Sequence, residues 1–308
     1  MVRGLGVMLV VGLAGSAVAE VRPSDINRPA GEDGLGPGYG GNQTQWALEL
    51  VGAFGAGTDV QGRALDRLNL APTIRIATPE RRNDVELVWA VLSQRQSFDD
   101  NGQTRQELLV SNLHLGYHWA WRTLKRQVRL GLAATLPAAT LSSDTADEVA
   151  ESLDAYTFSR AMRGWRELWL WTPETVTFTG HADLYLRRAS GIIIGGQLVT
   201  GWMQRVSDSE ALAEQELVVQ ADLEFIYDFE PVRLMLRASM VALPLTEADD
   251  LLQASAEPEA RFRLGPIDLV TRLSLPLHAP SGPAFSDGGA FALHVGVASA
   301  TIPVLPEE

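Results

Sequence analysis

The side chains of this sequence that could do chemistry are histidines and carboxylates. His114 and His118 are four residues apart, which on a strand is about 13 Å and too far for both rings to share one ion easily. His114, His181 and Asp183 fall at similar heights on the strands predicted below and could approach a metal ion. Solvated histidines are the simpler interpretation of these rings and of His294, so we predict no metal site and no cofactor.

The sequence lacks the motifs of common catalytic sites. It has no cysteine, which excludes a disulfide scaffold, a zinc–thiolate site and a cysteine nucleophile. Neither Gly-x-Ser-x-Gly nor His-Glu-x-x-His occurs, and we predict that the protein is not an enzyme. The formal net charge of -13 argues against a nucleic-acid partner, because such proteins normally carry a basic surface.

The stretch 216–243 indicates which elements position the charged residues. From Leu217 to Phe229 every second residue is apolar, and most of the residues between them are acidic or polar. Because side chains alternate between the two faces of a strand, this pattern predicts a long strand with one apolar face. Glu230 and Pro231 predict a tight turn, after which a second strand alternates in the same way. Both strands are about twice the usual soluble length, and are long enough to cross a bilayer when tilted.

The same alternation predicts strands along the whole chain after residue 44. They are 45–54, 67–78, 84–95, 106–122, 126–138, 175–188, 191–204, 214–229, 231–244, 257–265, 267–277 and 289–300. Connections after odd-numbered strands are long and those after even-numbered strands are short, as in bacterial outer-membrane barrels. The predicted fold is all-β, a transmembrane antiparallel up-and-down β-barrel of about 12 strands with long extracellular loops, one of them helical. A mean hydropathy of +0.01 fits strands that face lipid on one side only.

Aromatic residues are sorted by their position along the predicted strands. Two triplets end strands that run in the same direction, and we expect them in one interfacial girdle: Tyr117, Trp119 and Trp121, and Phe225, Tyr227 and Phe229. Phe54, Phe178 and Trp202 fall at the opposite strand ends and predict a second girdle. Leu109, Leu113 and Leu115 are expected on the lipid face with the first triplet.

The polar faces of the strands are predicted to line the lumen. Their charged residues are candidates for lining a pore: Arg75, Arg129, Asp183, Glu216, Asp222, Glu224, Asp228, Arg233, Arg237, Arg261, Arg263, Asp268 and Arg272. Four histidines share these faces: His114, His118, His181 and His294. The arginines between 231 and 277 predict a basic wall beside the acidic strand 214–229.

Counting outward from two tight turns predicts the register of these charges. With Glu230 and Pro231 as a hairpin loop, Asp228 faces Arg233 and Glu224 faces Arg237. With Gly265 and Pro266 as a second loop, Arg263 faces Asp268. All three pairs join opposite charges, which contribute roughly 0.2–1 kcal/mol each when directly opposed.

Composition divides the chain into four parts. Residues 1–19 have the basic start, apolar core and small-residue end of a signal peptide. Residues 20–44 form a Gly- and Pro-rich irregular leader that is either flexible or a small plug, 45–300 form the barrel, and 301–308 form a C-terminal tail.

The longest connection, 139–174, contains the predicted helix. Val149, Leu153 and Tyr156 recur at helical spacing after a possible cap at Asp144 or Thr145, and Gly164 can end the helix. Three tryptophans follow and are expected near the outer membrane surface: Trp165, Trp169 and Trp171. The connection either folds inward and narrows a pore or forms an external cap, and both arrangements fit the sequence.

With these features the chain resembles Gram-negative outer-membrane β-barrel proteins of the porin or transporter kind. The resemblance is architectural and covers nearly all of the mature chain. It implies export by a cleaved signal peptide, delivery by the barrel-insertion machinery, and contact with membrane lipids and lipopolysaccharide in the outer membrane. The implied function is a pore or passive transporter for small polar solutes. A closed structural or adhesion barrel that acts through its loops is the alternative, and a lipid-modifying enzyme is a weaker one.

Overall fold

The structure is a computed structural model that describes most of the chain after residue 44. The described residues are 45–58, 64–77, 83–98, 104–122, 126–141, 146–188, 192–207, 213–229, 231–245, 252–264, 267–278 and 291–299. The predicted signal peptide, the leader 20–44 and the tail 301–308 lie outside these ranges.

Strands dominate the described residues. They are β1 (Gln45–Thr58), β2 (Ala64–Ala77), β3 (Asn83–Phe98), β4 (Thr104–Val110), β5 (Leu113–Arg122), β6 (Arg126–Leu136), β7 (Thr175–Arg187), β8 (Ile192–Arg205), β9 (Gln215–Phe229), β10 (Val232–Ala242), β11 (Leu252–Leu264), β12 (Ile267–His278) and β13 (Phe291–Ser299). The helix α1 spans Ala146–Met162, close to its predicted position, and a 3-10 turn spans Leu168–Leu170. Among these elements no helix is long and apolar enough to cross a membrane.

The strands pair into a closed antiparallel ring. β1 pairs with β2 and also with β13, and β2 pairs with β3, so the ladder returns to its starting strand. β4 and β5 pair with successive parts of β3 and act as two halves of one strand. The fold is therefore the predicted up-and-down barrel, with twelve strand positions around the ring. β11 begins at Leu252, earlier than the predicted 257.

Apolar side chains cover the outside of the barrel where the structure describes the side chains of the strands. On β9, Leu223 is 61 % exposed whereas the adjacent Asp222 is 5 % exposed, and this alternation recurs on β6, β8 and β10. A continuous apolar surface of this kind is unfavourable in water and favourable against lipid, so the barrel is a membrane-spanning one. Both predicted aromatic triplets are on the exposed face, and Phe178 lies directly opposite Trp202 at the other strand ends.

Ser111 and Asn112 interrupt the strand that was predicted at 106–122. Leu108 is 70 % exposed and Leu109 is buried, whereas beyond the interruption Leu115 is exposed. The prediction that Leu109 lies on the lipid face was therefore wrong, because Ser111 and Asn112 are both buried and shift the alternation by one residue. The extra residue here forms a β-bulge, which bends the strand and changes the direction in which its side chains point.

The predicted register of the tight hairpins is the observed one. Phe229 pairs with Val232, so Asp228 lies opposite Arg233 and Glu224 opposite Arg237. Arg263 lies opposite Asp268 in the next hairpin. The inward face of these strands therefore carries pairs of oppositely charged side chains, whereas the outward face carries apolar side chains.

Leu223 offers a test of the lipid-facing surface, since it lies near the middle of β9. We expect Leu223→Arg to lower the free energy of unfolding by about 2–4 kcal/mol, because the guanidinium would sit in hydrocarbon, and Leu264→Arg near a strand end to cost about 0–1 kcal/mol. Leu264 is a matched control because it is 63 % exposed. Denaturant titration in liposomes measures both changes, and equal losses would contradict the membrane position of β9.

Candidate functional site

The connection between β6 and β7 folds into the barrel. Its described residues, 137–141 and 146–174, are called the inserted segment below. Three tryptophans of this segment, Trp165, Trp169 and Trp171, are almost fully buried. They belong to one apolar cluster with inward-facing residues of the wall, namely Val88, Val199, Met203, Val218 and Val241.

The sequence predicts these tryptophans near the outer membrane surface, and the structure buries their rings inside the barrel. A twelve-stranded ring encloses more space than wall side chains alone fill, and burying large aromatic rings there is favourable. Of the two arrangements that the sequence allowed for this connection, the structure has the inward one.

Asn112 holds both arms of the inserted segment. Its side-chain amide donates hydrogen bonds to the carbonyl oxygens of Trp169 (2.9 Å) and Thr172 (2.6 Å). Its Oδ1 accepts from the backbone N–H groups of residues 138 and 139, at 3.0 and 2.9 Å. Its own backbone N–H donates to the carbonyl of Leu170 at 2.8 Å. A single buried side chain thus joins the entry and the exit of the segment.

Ser111 maintains the hydrogen bonding to β3 at the bulge that turns Asn112 inward. The N–H of Ser111 donates to the carbonyl of Ala90, and the N–H of Ala90 donates to Ser111 Oγ, each at 2.8 Å. The hydroxyl takes the place of a backbone carbonyl, so these buried groups stay satisfied across the irregularity.

The far end of the inserted segment is fixed to the opposite wall. α1 ends at Met162, whose carbonyl accepts a hydrogen bond from His294 Nε2 at 2.9 Å. Ser255 Oγ donates to the carbonyl of Gly164 at 2.8 Å, and the N–H of Glu167 donates to Gln220 Oε1 at 2.9 Å. Since a carbonyl only accepts, His294 must carry its proton on Nε2.

Arg166 joins the inserted segment to the charged wall. Its Nε and Nη2 each lie 3.0 Å from Asp222 Oδ2, and its Nη1 lies 3.6 Å from Glu257 Oε2. Glu257 also accepts from Arg237 at 2.9 Å, and Arg237 donates to Glu224 at 2.7 Å. The guanidinium of the segment is therefore part of a chain of ion pairs that runs across β9, β10 and β11.

A larger set of wall residues forms this chain, which we call the acid–arginine network. Its members are Asp222, Glu224, Glu257, Glu259, Arg237, Arg261 and Arg272. Glu259 lies 2.6 Å from Arg261 and 2.7 Å from Arg272. Four carboxylates against three guanidiniums leave one negative charge, which Arg166 offsets.

The prediction of a basic wall was wrong, because Glu257 and Glu259 share the inward face with Arg261 and Arg263.

A second charged cluster lies on the other side of the ring. Arg129 Nη2 is 3.0 Å from Glu86 Oε2, and its Nη1 is 3.4 Å from Asp183. His118 Nε2 is 3.2 Å from the same Glu86 oxygen, in the place that Gly131 leaves open for the ring. The rings of His118 and His181 lie 5.3 Å apart.

His114 connects this cluster with the inserted segment. Its ring lies 6.0 Å from that of His181 and 6.3 Å from that of Trp169. Within the part of the chain that the structure describes, no group of three or more His, Asp or Glu is arranged to hold a metal ion.

The remaining predicted pore-lining residues lie nearer the barrel ends. Towards the short turns, Asp228 is 2.8 Å from Arg233 and 3.3 Å from Arg263. Towards the long loops, Glu216 accepts from the N–H groups of residues 217 and 245. Arg75 lies in β2, and its side chain falls outside the described part of the structure.

Several residues of this site were not among the predicted pore-lining residues, namely Glu86, Asn112, Arg166, Gln220, Glu257 and Glu259. Glu86, Glu257 and Glu259 carry a signal that could have found them, because they alternate in step with inward-facing neighbours. Asn112 also alternates in step with His114 and His118, although its contacts with the inserted segment leave no pattern in the sequence, and Arg166 lies in a turn and carries no such signal.

The turn after α1 has an unusual backbone. Among the described residues, the non-glycine residues with positive φ are Trp165 (64°), Glu167 (51°) and Glu174 (54°), and all three belong to the inserted segment. A left-handed conformation at such residues costs about 1–3 kcal/mol each and persists only where surrounding contacts impose it.

In α1, desolvation lowers the pKa of Arg160 to about 10, so this residue stays charged at neutral pH.

Comparison with known proteins gives a structural relationship. No protein-family model and no curated protein sequence matches the chain. An outer-membrane channel from Pseudomonas putida F1 matches with a TM-score of 0.56 at 14 % identity, over 88 % of this chain and 98 % of that one. This chain has the fold of an outer-membrane β-barrel protein.

Two further solved structures match this chain with lower TM-scores. The NanC porin gives a TM-score of 0.48 at 9 % identity, over 82 % of this chain and all of that one. The translocator domain of the autotransporter NalP from Neisseria meningitidis gives 0.46 at 13 % identity, over 85 % of this chain and 90 % of that one.

Asn112→Ala tests whether this residue holds the inserted segment inside the barrel. The change leaves buried backbone groups unpaired, at about 1–3 kcal/mol each, and we expect the segment to open. Trypsin should then cut after Arg160, Arg163 or Arg166 in the folded, detergent-solubilised protein at least about tenfold faster, since cleavage follows the open population.

Leu115→Ala is the control for this experiment, because it lies on the same strand and faces lipid. The barrel itself should stay folded in both variants, which its migration on unheated gels reports. Equal cleavage of the Asn112→Ala variant and the unmodified protein would show that the segment does not depend on Asn112.

Proposed function

We propose that the protein is a pore or passive transporter for small polar solutes in the bacterial outer membrane, and that the inserted segment sets its aperture. The observation that carries this proposal is the position of that segment, which is fixed to the lumen wall at Asn112 on one side and by Arg166 on the other. The segment therefore crosses the lumen instead of covering its mouth.

The size of the ring supports this proposal. Eight strands leave an interior that side chains just fill, whereas sixteen or more leave a water-filled channel. Twelve strand positions fall between these limits, so the chain placed inside the ring decides whether solutes pass. A segment held by polar contacts at two ends can narrow such a passage without filling it along its whole length.

The arrangement of charges supports a polar solute. The acid–arginine network lies on β9 to β12, and the cluster of Glu86, Arg129 and Asp183 lies on β3, β6 and β7. In the strand order these two groups are separated by β8 on one side and by β13, β1 and β2 on the other. Fixed charges that face each other across a lumen orient small polar molecules and exclude apolar ones.

A closed structural or adhesion barrel that acts through its loops is the second candidate. The observation that favours it is the apolar cluster of Trp165, Trp169 and Trp171 with the wall, which resembles a packed core. In either case the belt of exposed leucines and aromatics would contact membrane lipids and lipopolysaccharide, and the barrel-insertion machinery would deliver the chain.

Single-channel recording in planar bilayers tests the pore. We compare the unmodified protein with a variant in which a short Gly-Ser linker replaces residues 146–167, which keeps the contacts of Asn112. We expect the unmodified protein to conduct weakly and the variant to conduct several-fold more, because the aperture widens.

The control carries the same linker in place of residues 246–251 and should conduct like the unmodified protein. Silence of all three proteins would favour the closed barrel. Equal conductance of the unmodified protein and the 146–167 variant would show that the inserted segment does not set the aperture.

A further inference from the structure

We propose that the wall behind Arg166 is a binding site for an organic cation, in which the guanidinium or ammonium group of a solute competes with Arg166 for Asp222 and Glu257. This inference rests on the proposed function, because it names the class of solute that the passage recognises. The site lies on the inward faces of β9, β10 and β11.

Asp222 has an oxygen atom to spare at this site. Its Oδ2 accepts from Arg166 and from Gln220 Nε2, whereas the buried Oδ1 has no hydrogen-bond partner. Asp222 is 5 % exposed. Buried carboxylate oxygens without donors are costly, so a donor that reaches them gains binding energy.

A hydroxyl group points to the same site independently of the acids. Ser239 lies directly opposite Asp222 in the ladder between β9 and β10. It is 2 % exposed, and its buried Oγ has no hydrogen-bond partner. The site therefore offers two acceptor oxygens, Asp222 Oδ1 and Ser239 Oγ, in adjacent positions. A guanidinium fits this arrangement because it presents up to five N–H donors and accepts nothing.

The inserted segment already shows what this wall binds. Arg166 donates to Asp222 in a two-nitrogen contact and lies near Glu257, and it comes from a turn rather than from the wall itself. Without Arg166, the network of four carboxylates and three guanidiniums carries one uncompensated negative charge. A cationic solute can supply that charge in its place.

The backbone beside Arg166 makes the exchange favourable. Trp165 and Glu167, on either side of it, both have positive φ. Contacts to the wall hold this turn in a conformation that costs free energy. A solute that replaces Arg166 on Asp222 lets the turn relax, and it moves the inserted segment away from the wall that the solute must pass.

Calorimetric titration of the full-length barrel in detergent micelles tests the site directly. The probes are n-propylguanidinium and the uncharged, nearly isosteric n-propylurea. We expect Arg166→Gln to bind n-propylguanidinium about tenfold tighter than the unmodified protein or more, because an internal competitor is gone and a buried charge is left uncompensated. Asp222→Asn in the same background should abolish this binding.

Arg163→Gln is the matched control, since it removes the same charge from the same turn and should bind like the unmodified protein. n-Propylurea should bind to none of the variants. Equal affinity of Arg166→Gln and Arg163→Gln, or binding of n-propylurea at the strength of n-propylguanidinium, would overturn the proposal. Where Arg166→Gln does not give a folded barrel, Arg166→Lys replaces it and should bind n-propylguanidinium more tightly than the unmodified protein, and equal affinity would overturn the proposal.

The titration separates this inference from the proposed function because it needs no conductance. A barrel that is silent in bilayers but binds n-propylguanidinium as described has the cation site without the pore. A barrel that conducts but binds the probe in no variant has the pore without the site, and the inference is then wrong.

Discussion

Five hydrogen bonds to Asn112 determine what the inside of this barrel contains. Both polar atoms of its side chain and its backbone N–H are used by the two arms of the inserted segment. In a buried site each of these bonds matters mostly because the alternative is an unsatisfied group. The bulge at Ser111 and Asn112 is therefore a structural requirement, since a regular strand would not place both residues on the inward face.

Charge determines how the far end of the segment is placed. The acid–arginine network is one positive charge short, and Arg166 supplies it. Buried ion pairs contribute little net stability, because desolvation of the charges offsets their attraction, but they penalise every arrangement that leaves a charge alone. We infer that the network selects the position of the turn after α1 rather than stabilising the barrel. The same property makes the wall sensitive to any other cation that reaches it.

The fold could be predicted from the sequence because lipid imposes one rule on every strand. Alternation of apolar and polar residues marked the strands, and the two tight turns gave the register of Glu224 with Arg237. The prediction was wrong or stayed open where that rule does not apply. Leu109 precedes a bulge that reverses the alternation, and its prediction was wrong. Trp165 lies in a turn, where no periodicity shows whether a ring faces lipid or lumen.

The candidate site was only half predictable for a related reason. Most inward-facing charges could be found by alternation, but their partners depend on the path of the inserted segment. That path is set by tertiary contacts such as those of Asn112 and Ser255 with backbone carbonyls, which leave no pattern in the sequence. Glu257 and Glu259 were within reach of the same alternation, and including them would have predicted a mixed wall.

A disulfide cross-link tests most directly whether the β6–β7 connection lies inside the barrel, since the chain has no cysteine of its own. Met162 at the end of α1 packs against Ala292 on the inward face of β13, whereas Leu293 faces lipid. Met162→Cys with Ala292→Cys should form a disulfide under mild oxidation in intact membranes, and Met162→Cys with Leu293→Cys should not. Failure of the first pair to cross-link while the barrel is folded, or equal cross-linking of both pairs, would contradict the inserted position.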